Sequence, residues 1–278
     1  MKLRLQRAAV AVPAGAGQPS VPAPYAGPEL TCVDSDAGPL WLRSDDGVML
    51  PYLASRGTWE SDEGAVLRRL VTPGTVFVDV GANVGYFSRL LATVARPSRV
   101  IAFEPHPELA AVLALNVWGL TPAVEVMPLA LGSANGTVVV QSAQHNPGDT
   151  RVDATLSRAS MLAAMGRMDD LVQGRVDVVK IDVQGFESDV IQGMQRILRD
   201  NPQISVVAEF WPGALRDRGL SPMTVLRQYE ALGLSVAVLR GATPTVMPLD
   251  DVLRFCQGAG PDGQANLLLT GPASTARP

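Results

Sequence analysis

The chain has 278 residues, enough to bury a sizeable core in one large domain or two small ones. Hydrophobic residues make up 47% and charged residues 18%, ordinary for a soluble α/β enzyme, and the net charge of −4 without any Lys/Arg run excludes a binder that relies on neutralising nucleic-acid phosphates. Cys32 and Cys256 form neither a disulfide framework nor a metal-ligand spacing, so a cytoplasmic location is expected, and no stretch reaches the roughly 20 apolar residues of a membrane span.

Met1 to Arg7 and the alanine-valine stretch after it imitate a signal peptide, but Pro13, Gly15 and Gly17 break the apolar segment. Residues 8–40 are rich in Ala, Pro and Gly and read as a loosely ordered arm. Trp41-Leu-Arg and Val48-Met-Leu flank Ser-Asp-Asp-Gly47, which reads as a hairpin, and a helix capped by Ser61 runs to Leu70. Residues 1–70 are therefore expected to form an N-terminal extension, 71–271 a catalytic domain, and 272–278 a flexible tail.

Val76-Phe-Val-Asp-Val80 is an apolar, β-branched run of the kind buried on both faces of a sheet, interrupted by Asp79. Gly81 and Gly85 bracket a tight turn, and Tyr86/Phe87, Leu90/Leu91 and Val94 then recur at helical spacing. Further strands are expected at 99–104, 124–131, 136–140, 176–183, 204–210, 235–239 and 266–270. Helices are expected at 107–118, 159–173, 187–199, 221–233 and 250–256, with a polar loop from Ser142 to Thr150. The alternation predicts a doubly wound, mostly parallel sheet with helices on both faces.

Acids end the buried strands at Glu104, Asp182 and Glu209, and Asp79 lies inside a fourth. In open α/β sheets ligands bind beyond the carboxyl ends of the strands, so these groups should converge on one rim. The turn Gly81-Ala82-Asn83-Val84-Gly85 lacks the middle glycine of the dinucleotide fingerprint, G-x-G-x-x-G. A carboxylate two residues before the turn suits a cationic ligand end better than a pyrophosphate. Glu104, at the tip of the next strand, is placed to accept ribose hydroxyls. An amino-acid-like cation joined to a ribose describes S-adenosylmethionine.

Val-Phe-Val-Asp-Val-Gly-Ala-Asn-Val-Gly-Tyr-Phe-Ser, Ala-Phe-Glu-Pro-His-Pro, Leu-Ala-Leu-Gly132 and Val-Val-Lys-Ile-Asp-Val-Gln-Gly-Phe-Glu187, in this order, resemble the FkbM-type methyltransferases from about Gly57 to Phe210. The resemblance implies a class I methyltransferase (Rossmann-like) fold with a seven-stranded sheet whose last strand is antiparallel. It also implies S-adenosylmethionine as methyl donor and O-methylation of a sugar or natural-product hydroxyl. It assigns the methionine end to the segment from Asp79 to Tyr86 (Gly81, Ala82, Asn83 and Gly85 included), the ribose to Glu104, and the adenosine surroundings to Pro105, His106 and Ala130. Gln184 stands where the family usually has glutamate.

Asp182 is the first candidate for a polar group facing cofactor or acceptor, Glu209 the second, and His145 a general base by residue type. No Asp-Asp pair follows the fifth strand, so no metal is expected. The partner is a small-molecule acceptor rather than nucleic acid or membrane, with the oligomeric state, a homo-oligomer included, left open. Two other readings compete: an NAD(P)-dependent oxidoreductase, and a non-catalytic S-adenosylmethionine-binding partner protein, which Gln184 would suit.

Overall fold

The computed structural model describes residues 25, 27–143, 146–152, 160–260 and 263–274. His145, the arm up to residue 24 and the end of the expected tail lie outside them.

The first described elements depart from expectation. Leu30–Ser35 (β1) and Gly38–Arg43 (β2) pair as an antiparallel hairpin that lies mostly inside the stretch expected to be a loose arm, with Trp41–Arg43 a strand as expected. Ser44 to Gly47 is no hairpin turn. It leads into helix Met49–Arg56 (α1), with Asp46 Oδ1 accepting the amides of Val48 and Met49, each at 2.8 Å. The helix expected next is Ser61–Leu70 (α2); Ser61 is its first helical residue rather than its cap, preceded by Glu60 in the left-handed region at φ 41°.

The central sheet follows the predicted alternation. Its parallel part begins with Val76–Val80 (β3), Arg99–Phe103 (β4) and Val124–Met127 (β5), joined by helices Tyr86–Val94 (α3) and Pro107–Asn116 (α4).

The segment expected to run on as one strand to Leu131 breaks, and Ala130–Leu131 (β6) joins a separate four-stranded sheet. That sheet contains Gly136–Ala143 (β7), Asn146–Val152 (β8) and Ser160–Gly166 (β9), in the order β6-β9-β7-β8. The Ser142–Thr150 loop is therefore mostly strand backbone. The helix expected over 159–173 is β9 followed by one turn, Met168–Leu171 (α5). β9 pairs with β7 from Gly136↔Met165 to Gln141↔Ser160, and this pairing overrides the helical propensity of Met-Leu-Ala-Ala-Met.

Val178–Ile181 (β10) returns to the central sheet beside β3. The helix expected over 187–199 divides into Glu187–Gln192 (α6) and Gln195–Asp200 (α7). The break is at Gly193, where a Cβ would lie 2.0 Å from the carbonyl oxygen of Gly132. Asp169 then caps α7, accepting the amides of Arg196 at 2.9 Å and Ile197 at 3.0 Å.

Ser205–Phe210 (β11), Pro212–Asp217 (α8), Pro222–Ala231 (α9), Ser235–Arg240 (β12), Thr243–Val246 (β13), Leu249–Gly258 (α10) and Ala265–Thr270 (β14) complete the described elements. The central sheet has the order β13-β12-β14-β11-β10-β3-β4-β5. β14 is antiparallel to both its neighbours, β11 and β12. The sheet has eight strands rather than seven because β13 folds back along β12 at the edge.

Both faces of the sheet are covered. Val78, Val80, Val179 and Ile181 pack with Val190, Ile197 and Leu226 on one side. Phe77, Val178 and Val207 pack on the other with Leu67, Phe87 and Leu90, together with Leu40 and Leu42 of the N-terminal hairpin. Side chains alternate along each strand, so Asp79, Lys180 and Glu209 belong to this second face, under α2 and α3.

Candidate functional site

The carboxyl ends of β3, β4 and β10 open onto one cleft, bordered by Gly81, Asn83, Glu104, Pro105, Ala130 and Asp182. Leu109, Leu129, Leu131, Val140, Val183 and Phe186 form its apolar walls. Six of the residues proposed from the sequence thus meet in one place. The short sheet contributes Ala130, Leu131 and Val140, which explains why β6 leaves the central sheet.

Backbone conformation shapes the cleft floor. Gly81 has φ +77°, and a Cβ there would stand 1.9 Å from the carbonyl oxygen of Asp182. Glycine is required at this point because the turn after β3 and the turn after β10 touch backbone to backbone. Asn83 is also left-handed, at φ 52°, and its amide donates to Glu104 Oε2 at 2.9 Å. The His106 amide donates to Oε1 of the same carboxylate at 2.9 Å. Burial raises the Glu104 pKa to about 7, with the two amides pulling the other way. Its oxygens are aligned at the end of β4 without a cation.

Not every proposed residue reaches the cleft. Asp79 is 1% exposed behind the turn; its Oδ2 accepts from Ser88 Oγ at 2.7 Å and its Oδ1 has no partner. Burial raises its pKa, countered by Lys180, which sits opposite it in register on β10. Ala82 and Gly85 support the turn from within. Tyr86, expected beside the methionine end, turns to the N-terminal hairpin: its hydroxyl donates to Asp36 Oδ1 at 2.5 Å and accepts the Trp59 amide at 3.0 Å. His106 is half-buried, its pKa lowered by burial and its Nδ1 without a partner.

A second group of polar side chains lies beside the cleft, on the face under α2. Lys180 is 2% exposed, with Nζ 3.1 Å from Asp182 Oδ2 and 5.0 Å from the centre of the Phe87 ring. Burial opposes its charge most strongly, yet Asp182, Glu63, Asp79 and Glu60 together hold the ammonium above its ordinary range. Asp182 also accepts from Gln184 Nε2 at 3.1 Å. Gln184 therefore contributes a neutral donor where an acid would add like charge. Glu187 is fully buried, accepting the amides of Val183 and Gly185 at 3.2 and 3.0 Å, and holds the Asp182–Glu187 turn rather than facing the cleft.

Glu209 lies within β11. Strand register pairs Ile181 with Ala208, so one step further sets Glu209 beside Asp182. Its Oε2 is buried without a partner, and its pKa is raised to about 10, first by burial and then by Asp182, Glu187 and Glu60. Glu63 reaches the same place from α2 and accepts from Asn266 Nδ2 at 3.2 Å; Asn266 is the β14 residue opposite Glu209. Sequence reasoning missed Glu63 and the structural role of Lys180. The Lys-Ile-Asp spacing, which puts a lysine and an acid on one face of a strand end, was the available signal.

Among the described residues no group of three or more His, Cys, Asp or Glu side chains is arranged to hold a metal, and no helix is long and apolar enough to cross a membrane.

Strand order, the antiparallel β14 between β11 and β12, and a cleft whose acid ends the second strand define a class I methyltransferase. The methyltransferase FkbM domain matches residues 79–219, half of the chain, and the chain belongs to the FkbM methyltransferase family.

Over 128 residues it is 29% identical to the hexuronic acid methyltransferase AglP of Haloferax volcanii, covering 45% of this chain and 52% of that protein. Over 175 residues it is 29% identical to the AMB antimetabolite synthetase AmbE of Pseudomonas aeruginosa, covering 48% of this chain and 8% of that protein. The chain thus spans about half the length of one of these relatives and a small part of the other. The FkbM methyltransferase structure from Methylobacillus flagellatus superposes with a TM-score of 0.46 at 14% identity, covering 71% of this chain and 43% of that one.

Proposed function

We propose that the protein transfers a methyl group from S-adenosylmethionine to a hydroxyl of a sugar or small natural product. The observation that carries this reading is Glu104, fixed by two backbone amides at the end of β4 and bordering the cleft beside the glycine turn.

The residues present fit the donor. Glu104 would take the ribose hydroxyls; its carboxylate keeps lone pairs beyond the two amide bonds. Ala130, Leu131, Leu109 and Phe186 would enclose the adenine between apolar walls, and the Gly81–Asn83 backbone would lie along the methionine portion. The unpartnered Asp79 Oδ1 behind that turn adds negative potential where a cationic ligand end belongs.

Bound S-adenosylmethionine supplies a methyl on a sulfonium: the S–CH₃ bond breaks as the O–CH₃ bond forms, leaving a neutral thioether. The chain's part is to align the acceptor oxygen and receive its proton. Asp182 borders the cleft with its side chain 29% exposed, and Lys180 and Gln184 fix its orientation. In this reading it takes the proton. Glu209, with its pKa near 10, keeps its own proton at neutral pH and orients the acceptor by hydrogen bonding. AglP, named for hexuronic acid methylation, supports a sugar scaffold for the acceptor but not its charge.

Incubation with methyl-labelled S-adenosylmethionine and a panel of monosaccharides and hydroxylated natural products tests the reading. Label should enter an O-methyl ether, and Asp182→Asn should lower kcat by about 100-fold, within the usual range for a lost general base. Donor binding without transfer to any acceptor would favour the non-catalytic alternative.

A further inference from the structure

The acids beside the cleft are more numerous than donor binding needs. Asp182, Glu209, Glu60 and Glu63 come from β10, β11 and the start of α2. The cation standing against them is Lys180, buried beneath and fastened to Asp182. Glu209 is the informative member. It is only 9% exposed, its Oε2 lacks a partner, and strand register sets it beside Asp182. A buried polar atom left unpaired in a folded protein costs stability and calls for a partner from outside the chain. Asn266, across from Glu209 on β14, directs a side-chain N–H to Glu63.

Resting on the methyltransferase reading, we infer that Glu209, Asp182 and Glu60 form the acceptor-recognition face, and that they select acceptors offering hydrogen-bond donors while rejecting acceptors with an anionic group beside the methylated hydroxyl. The chemistry is direct. A hydroxyl or ammonium satisfies the Glu209 oxygen and its neighbours. A carboxylate or phosphate would be buried beside Asp182 and Glu60, with Lys180 already fastened to Asp182, a strongly unfavourable placement. The substrate class is a neutral or amino-bearing polyol, so a uronic acid is disfavoured.

Matched acceptors test this: a glycoside carrying a hydroxyl, an amine or a carboxylate at the same carbon, each assayed for labelled-methyl transfer, with S-adenosylhomocysteine binding measured separately by calorimetry. The hydroxyl and amine forms should be methylated, with kcat/KM for the carboxylate form lower by at least about tenfold. Glu209→Gln should raise the acceptor KM by about tenfold and leave the S-adenosylhomocysteine Kd unchanged, and Glu209→Lys should shift preference toward the carboxylate.

Equal or better use of the carboxylate form by the unaltered protein would overturn the inference. So would transfer to none of the three while S-adenosylhomocysteine binds, or equal loss of donor and acceptor binding in Glu209→Gln. Failure to bind S-adenosylhomocysteine at all would instead overturn the methyltransferase reading beneath it.

Discussion

The amide of Asn83 donates to Glu104 Oε2 at 2.9 Å, tying the left-handed turn after β3 to the end of β4. This bond closes one side of the cleft, and it makes Glu104 a structural group as well as the proposed ribose ligand. Glu104→Ala should lower S-adenosylhomocysteine affinity by at least about tenfold and also destabilise the fold by about 1–3 kcal/mol, because the Asn83 and His106 amides lose their acceptor. Calorimetry and urea denaturation measure the two effects separately.

Gly81 and Gly174 provide a paired test of close approach. Both have strongly positive φ, +77° and +83°, but a Cβ at Gly81 would meet the Asp182 carbonyl oxygen at 1.9 Å, whereas none of the atoms around Gly174 lies within 4 Å. Gly174→Ala should cost about 1 kcal/mol, the conformational part alone. Gly81→Ala should cost more than that by at least about 2 kcal/mol and abolish donor binding. Equal costs would show that the two turns do not touch as described.

Lys180 is the buried counterion of the acids on the α2 face. Lys180→Met should destabilise the protein by roughly 3–5 kcal/mol near neutral pH, the usual range for breaking a buried pair by removing one partner. The penalty should shrink as pH falls, because burial pushes the Glu63 and Asp79 carboxyls up from their ordinary range and a protonated carboxyl needs no cation. Denaturation at pH 5 and pH 8 supplies the comparison.

The same acids set the pH dependence of stability. Glu104 and Glu187 are raised to about 7 and Glu209 to about 10, above the 4.5 of an unperturbed glutamate. Between those limits the folded state binds more protons than the unfolded chain, so stability falls as pH rises. Their contribution is complete below about pH 4.5. It is lost through pH 7 for Glu104 and Glu187, and through pH 10 for Glu209. Thermal melting from pH 5 to pH 10 should show a declining Tm, and Glu209→Gln should flatten its alkaline limb.

The cleft proposed for the donor was legible because it is written in short-range chemistry. A β-branched run, two glycines and a strand-end acid each have one economical structural reading, and Gly81, Asn83, Glu104 and Asp182 meet as that reading requires. What misled was segments whose structure depends on distant partners. Ser160 to Gly166 carries helix-forming residues but is held as a strand by β7. The helical stripe from Val190 to Leu198 crosses Gly193, where α6 ends and the carbonyl of Gly132 leaves no room for a Cβ. The hairpin of β1 and β2 was hidden by composition, since its anchors lie elsewhere: Asn116 accepts the Trp41 amide at 2.7 Å and donates to the Trp41 carbonyl at 2.9 Å. The group of acids under α2 was only partly legible for the same reason. Glu63 reaches Asn266 across 203 positions of sequence.

Calorimetric titration of the purified protein with S-adenosylhomocysteine, and in parallel with NADH, tests the central assignment most directly. Saturable binding of one S-adenosylhomocysteine per chain, weakened by Glu104→Ala and with no heat from NADH, is the expected result. Binding of NADH with none of S-adenosylhomocysteine would contradict it.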